Sequence, residues 1–306
     1  MKNTTFTTIN PDQNGNVKFE NQEVVLPDNL KIDGDLSIRG CILEKIPEGL
    51  EVGGSLCILG GVLKNGKIPA IKIGDTLKIR DVNVEEGDLI LPNNLKVEGD
   101  LNLSYSKIKK LPEGLEVKGF LNISHTLIQY IPKGVKIGHH LEADETVFST
   151  LPDDIKIGGN LNLENSYIEK LPEGLEVGGD LILKDCIMIN SLPKQMKIEG
   201  SLIVSGTHIN EIPKGVSFGK GLYISRTKFK SLPERFNKIN GSLQCIAVED
   251  LKLPKGLKVK ENLDLSYSLI TKLPDNLEVG GDLYLYATRI KKYPEDLKVG
   301  GKILHY

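Results

Sequence analysis

The sequence has no surplus of either charge: its 39 lysines and arginines face 41 aspartates and glutamates, leaving a net charge of -2. Nucleic-acid binders usually carry a basic surplus, so a nucleic-acid partner is not expected. Long apolar runs are absent too. No stretch reaches transmembrane length, and the opening Met1-Lys2-Asn3-Thr4-Thr5-Phe6 carries no apolar segment of the secretory kind. The expectation is therefore a soluble cytoplasmic protein with no membrane partner. Cysteine is scarce: Cys41, Cys57, Cys186 and Cys245 lie far apart, without metal-type spacing, and predict neither a metal site nor a disulfide scaffold. Aromatic residues make up only 5% of the chain, which gives weight to those placed on outward positions. The segment Gly61 to Lys67 comes close to a phosphate-binding loop, but Ile68 and Pro69 stand where a Ser or Thr and a helix start are needed.

What the sequence does have is a repeat. Of its 15 prolines all but Pro11 begin a new unit of the pattern, from Pro27 to Pro294. Successive starts are 20, 22, 23, 20, 20, 20, 20, 21, 20, 20, 21, 20 and 20 residues apart. With each proline as position 1, apolar residues recur at positions 4, 6, 10, 12, 17 and 20, and glycine is usual at 8. The repeat at Pro112 supplies Leu115, Val117, Gly119, Leu121, Ile123, Ile128 and Ile131.

Positions 4, 6, 10 and 12 alternate with period two, so this half of the repeat is extended. Glycine at 8 falls on the inward phase without a side chain, and predicts a corner where one coil's backbone approaches the next. Proline at 1 with Gly, Asn or Asp at 3 predicts a tight turn. Position 15 is small and polar in the regular repeats (Ser106, Thr126, Thr146, Ser166, Thr207, Thr227 and Ser268), with Cys41 and Cys186 in the same slot. It predicts local bonds to backbone at the turn out of the second strand, and a structural role for those two cysteines.

The prediction is an all-β fold, a repeat solenoid of about fourteen coils over residues 26–306, capped by residues 1–25. In the cap, the turn cluster Pro11 to Asn16 between Phe6–Ile9 and Val17–Phe19 predicts a β-hairpin. Residues inserted at 60–67 and 81–88 predict surface loops, and Gln244 to Asp250 loses the small polar slot.

Leu101-Asn102-Leu103-Ser104-Tyr105-Ser106-Lys107-Ile108-Lys109-Lys110-Leu111-Pro112 resembles a leucine-rich repeat, most closely the short bacterial class of about twenty residues with Leu-Pro in each copy. The resemblance covers residues 26–304. Two departures stand out: Ser, Thr or Cys replaces the usual ladder Asn, and the extra Leu175-Glu176-Val177-Gly178-Gly179-Asp180 type of segment predicts a second strand per coil. The expected form is thus leucine-rich-repeat-like or β-helix-like. The resemblance implies a bacterial or phage protein, acting as a non-catalytic scaffold that binds a host or partner protein. The alternatives are a β-solenoid enzyme acting on polysaccharide, or a structural spacer.

Regular positions account for stability, so recognition belongs to positions that the repeat leaves free. Positions 9, 11 and 13 face outward on the second strand. They place Phe120, His140, Glu142 and Asp144 in the middle of the chain and Tyr223, Tyr284 and Tyr286 later; His125 joins them, and Tyr105 and Tyr267 sit at position 14. Phe120, His125, His140, Glu142, Asp144, Tyr223, Tyr284 and Tyr286 are the candidate partner-binding set. His140 and Asp144 are too far apart along the strand to share an ion readily, and no constellation of nucleophile, base and orienting group stands out. No catalytic residue, cofactor or metal is predicted. The lysines at 16–19 (Lys107, Lys109, Lys110, Lys228, Lys230, Lys291, Lys292) are broken by Glu44, Glu169 and Glu249 and read as a solvated face. The last residues, Gly301 to Tyr306, stop inside a coil, and the expectation is that this end packs on another copy of the chain or on a partner.

Overall fold

The computed structural model describes residues 5–249 and 251–305. Its contacts divide the chain into two compact units, Met1–Gly158 and Gly159–Tyr306. Both are stacks of coils built almost wholly from short parallel strands. The described residues contain no α-helix, and hence none long and apolar enough to cross a membrane; Glu234–Phe236 forms one 3-10 turn.

In the first unit the second strand of each coil joins one long sheet, running Val17–Glu20, Leu36–Arg39, Leu56–Leu59, Leu77–Arg80, Leu101–Asn102, Leu121–Asn122 and Leu141–Glu142. The register sets leucine on leucine, with Leu36, Leu56, Leu77, Leu101, Leu121 and Leu141 in one row. Each is fully buried, because position 10 points inward wherever the coil is cut. Position 6 forms the opposite wall in two shorter sheets, Lys31–Ile32 to Lys72–Ile73 and Lys96–Val97 to Lys136–Ile137. The second unit repeats the plan. Its long sheet runs from Leu161–Asn162 to Ile303–Leu304, facing short sheets that begin at Leu175–Val177 and Lys238–Ile239.

The N-terminal hairpin is not there. Val17–Glu20 pairs in parallel with Leu36–Arg39, and Glu23–Val24 pairs in parallel with Ile42–Leu43. Val17, Phe19 and Val24 fill the slots of positions 10, 12 and 17, so this stretch is a partial coil, and stacking on the next coil outcompetes local pairing across the Asn14-Gly15 turn. Nor are the inserted stretches loops. Val62–Lys67 and Asn83–Ile90 are strands of a third parallel sheet, with a register shift between Glu86 and Ile90. Leu63 is fully buried, and Val62 and Asn65 donate backbone bonds to Cys41 and Glu44 of the coil before. Extra length in a stack is absorbed as extra pairing when its apolar phase matches the neighbour.

Two further devices set the stacking. At position 7 or 8 most coils carry a glycine whose backbone comes so close to the previous coil that a Cβ would clash: one on Gly138 would run into the Lys118 carbonyl oxygen, and one on Gly119 into Asp100 and the Gly99 backbone. On the wall opposite the long sheet, glutamates at position 5 bridge lysines from the coils above and below. Glu51 meets Lys31 and Lys72 at 3.0 and 2.8 Å, Glu116 meets Lys96 and Lys136 at 3.5 and 2.7 Å, and in the second unit Glu278 meets Lys258 and Lys298 at 3.0 and 3.2 Å. The bond from Lys72 lowers the Glu51 carboxyl, that from Lys136 lowers Glu116 and that from Lys258 lowers Glu278.

Gly138→Ala should cost the first unit about 2–3 kcal/mol in denaturant unfolding, through backbone overpacking. Gly134→Ala has open space but a φ of +76°, and should cost only about 1–2 kcal/mol. Equal losses would contradict the close-approach account. A lowered carboxyl contributes stability above its ordinary value of 4.5, and that contribution is lost as pH falls through the lower folded value. Glu116→Gln should therefore flatten the acid limb of the first unit's stability profile while leaving its slope above neutral pH unchanged.

Candidate protein-recognition face

The candidate residues gather where the second strand leaves the long sheet. Positions 12 to 15 make a four-residue turn there. Ser106 donates its backbone N–H to the Leu103 carbonyl at 3.1 Å and its hydroxyl to the same oxygen at 2.5 Å. The hydroxyls of Thr126 and Thr146 do likewise to Ile123 and Ala143, at 2.6 and 2.7 Å. The expected small-residue slot is thus a turn lock. In the second unit Cys186 reaches the Leu163 carbonyl of the previous coil instead, and burial raises its thiol above the ordinary value, as burial also does for Cys245. All four cysteines are free.

The turn forces position 14 into a left-handed backbone. Tyr105, His125 and Glu145 have φ of 61°, 55° and 53°. Such a conformation costs a non-glycine residue about 1–2 kcal/mol, and the turn lock and the next coil's carbonyls offset it: Tyr105 N–H donates to Ser124 and His125 N–H to Asp144, both at 3.1 Å. The side chains are thereby aimed outward in a row. The Tyr105 and His125 rings stack with centroids 4.2 Å apart and planes 15° apart, and the Arg80 guanidinium lies 5.3 Å from the Tyr105 centroid. His125 Nε2 lies 3.4 Å from Asp144, and its Nδ1 lies 3.2 Å from Glu145. Ser124 Oγ makes a short bond to the same Asp144. The result is a strip of cation, aromatic, imidazole and carboxylates, with Tyr105 49% exposed.

Phe120 and His140 have a different setting. Both stand at position 9, which elsewhere carries a ladder of Asp, Asn and Ser side chains accepting backbone N–H groups from the next coil. Ser55 N–H donates to Asp35 at 2.7 Å, and Phe120 N–H donates to Asp100 at 2.9 Å. In the second unit Asp180 donates to Asn160, and Ser201 to Asp180, at 2.9 and 2.6 Å. Phenylalanine has no acceptor, so the ladder loses its side-chain rung at Phe120. Phe120 is half-buried and His140 exposed, beside His139 with ring centroids 6.4 Å apart. Glu142 is half-buried on the strand between His140 and Asp144.

The second unit does not assemble its tyrosines into one site. Tyr223 lies back over Gly221, where a Cβ would come within 2.8 Å of its ring. Tyr284 and Tyr286 sit three coils later, rings tilted with centroids 6.3 Å apart, and the Tyr284 hydroxyl donates to Asp282 at 3.2 Å. Partial burial and then the Asp282 carboxylate raise the Tyr284 phenol. Glu164, at position 13 like Asp144, is paired with Lys184 at 2.5 Å. Among the described residues no group of three or more His, Cys, Asp or Glu is placed to hold a metal.

Arg80, Tyr105 and Glu145 are members outside the candidate set read from the sequence, where Tyr105 stood only as an outward aromatic at position 14. Glu145 was visible, since it shares position 14 with His125. Arg80 was hidden by the insertion before Pro92, which widens the spacing from Leu77 to Leu101 to 24 residues. A double-mutant cycle on Tyr105→Ala and His125→Ala should give a coupling of about 0.5–1.5 kcal/mol from the stacked pair. Strict additivity would show that the rings do not support each other.

No family model matches the chain, and no curated protein matches it. Among solved structures, YopM from Yersinia enterocolitica WA-314 matches over 89% of this chain, at 19% identity and a TM-score of 0.48. The match covers 63% of that protein, so the chain spans less than two thirds of its length. At that score the likeness carries no argument, and the solenoid stands on its own strand pairing.

Proposed function

We propose that the chain is a non-catalytic scaffold that binds another protein through the outward face of the first unit's long sheet. The observation that carries this reading is the strip Arg80, Tyr105 and His125 with Asp144 and Glu145. Aromatic and arginine side chains are the usual anchors of protein interfaces. Here Tyr105 is stacked between Arg80 and His125, and His125 in turn contacts Asp144 and Glu145, so little side-chain freedom is lost on binding. The rest of the coil follows stacking rules that need none of these identities, which favours recognition over a plain spacer. Asp144 already accepts bonds from Ser124 and faces His125. That arrangement suits a fixed contact surface better than a pair of carboxylates flanking a sugar bond. A bacterial or phage setting and a host protein as partner rest on the resemblance of the repeat.

Capture of the partner from native cells by tagged chain, identified by mass spectrometry, tests the reading. Tyr105→Ala/His125→Ala should weaken recovery by at least about tenfold, a loss of about 1.4 kcal/mol. Tyr223→Ala, in the second unit, should leave it intact. Equal recovery by wild type and the double variant, with both folded by circular dichroism, would sink the proposal.

A further inference from the structure

The second unit carries a concave surface in which none of the lining cations is ion-paired among the described residues. It encloses about 670 Å³ and is lined by Lys272, Arg289, Lys291 and Lys292, with Tyr293 and Asp275. All four cations are exposed, and none is in an ion pair among the described residues. The one lining carboxylate, Asp275, lies 3.5 Å from Lys255, which is not part of the lining. Other basic hollows each hold ion-paired lysines. In the first unit Lys136 and Lys118 line a cavity of about 660 Å³, but they pair with Glu116 and Glu98. On the same 16–19 segment two coils earlier, Lys230 lies 3.7 Å from Glu249.

Tyr293 adds a second feature. Position 20 holds Leu111, Leu151 and Leu273 in earlier coils and a tyrosine at 293, which is 41% exposed where the sequence has no following coil over it. Its ring lies edge-on to His305 at 6.1 Å. A tyrosine in this slot brings an amphipathic ring to the wall of a cationic hollow.

We propose that this hollow binds a phosphomonoester carried on a peptide. A phosphomonoester brings a charge of about -1.5 to -2 and three strong acceptor oxygens, matching one arginine fork and several lysine ammonium groups. The concave shape and the short extent favour a single phosphate over a strand of nucleic acid. Two adjacent coils are only about 4.8 Å apart, and a nucleic-acid backbone is tracked by a longer groove. This site lies in the second unit and stands independently of the sheet face proposed above.

Titration calorimetry of the whole chain tests it, with a short glycine-flanked phosphoserine peptide, its unphosphorylated form, inorganic phosphate and a single-stranded DNA oligonucleotide. The phosphopeptide should bind at least about tenfold more tightly than the unphosphorylated peptide, and Arg289→Gln/Lys291→Gln should remove about that factor. Inorganic phosphate should compete with the phosphopeptide. Phosphate binding as tightly as the phosphopeptide would overturn the peptide assignment in favour of a free phosphate ligand. Tighter binding of the oligonucleotide, or phosphopeptide binding that survives the double variant, would overturn the site. Gln removes the charge and keeps a polar side chain at exposed positions, and matching thermal melts of variant and wild type exclude misfolding as the cause.

Discussion

The close approach of one coil's backbone to the next governs what this chain can vary. A short coil has too small an interior of its own to hold it folded, so its strands must find their hydrogen-bond partners in the neighbouring coils. At the glycines of this corner the approach leaves no space for a Cβ, as at Gly138 against Lys118 and Gly280 against Lys260. Around that corner everything else is placed. The inward rows bury leucine on leucine, and the position 9 side chains catch the N–H groups of the next coil. The position 15 hydroxyls close the turn. These requirements repeat with each coil, and together they use most of the residues in it.

Recognition is confined to what remains, and the geometry of the turn decides where that is. Because position 14 is held left-handed in coil after coil, a side chain there is presented outward in the same orientation as its counterpart above and below. The spacing of stacked strands, about 4.8 Å, is close to the separation at which two rings stack. Tyr105 and His125 exploit this match. Arg226 does so over a longer reach in the second unit, crossing the glycine at 206 to meet Asp185 at 2.8 Å. A solenoid of this kind offers a ready-made grid, and the identity of the residues written on it can change without disturbing the coil beneath.

Much of the coil was legible from periodicity. The inward rows, the glycine corner, the turn at position 3 and the small polar slot each follow from one residue type recurring at one spacing. What failed to show was anything decided between coils. The N-terminal hairpin was read from the local Asn14-Gly15 signal, whereas Val17 and Phe19 were already in phase with Leu36 and Ile38. The inserted stretches were read as loops because they break the spacing, although Val62 and Leu63 lie level with Ile42 and Leu43 and continue their sheet. The position 9 ladder went unseen because Asp and Asn look like ordinary outward polar residues until the next coil's N–H is placed beside them. Of the candidate residues, His125 and Asp144 came together because they occupy neighbouring coils at adjoining positions. Tyr223 and Tyr284 did not, because three coils separate them.

The most direct test of the account is hydroxyl-radical footprinting of the chain with and without its captured partner. Tyr105 and His125 should lose reactivity on binding, while Tyr267, 65% exposed at the same position 14 in the second unit, should keep it. Protection that spares Tyr105 and His125 would contradict the account.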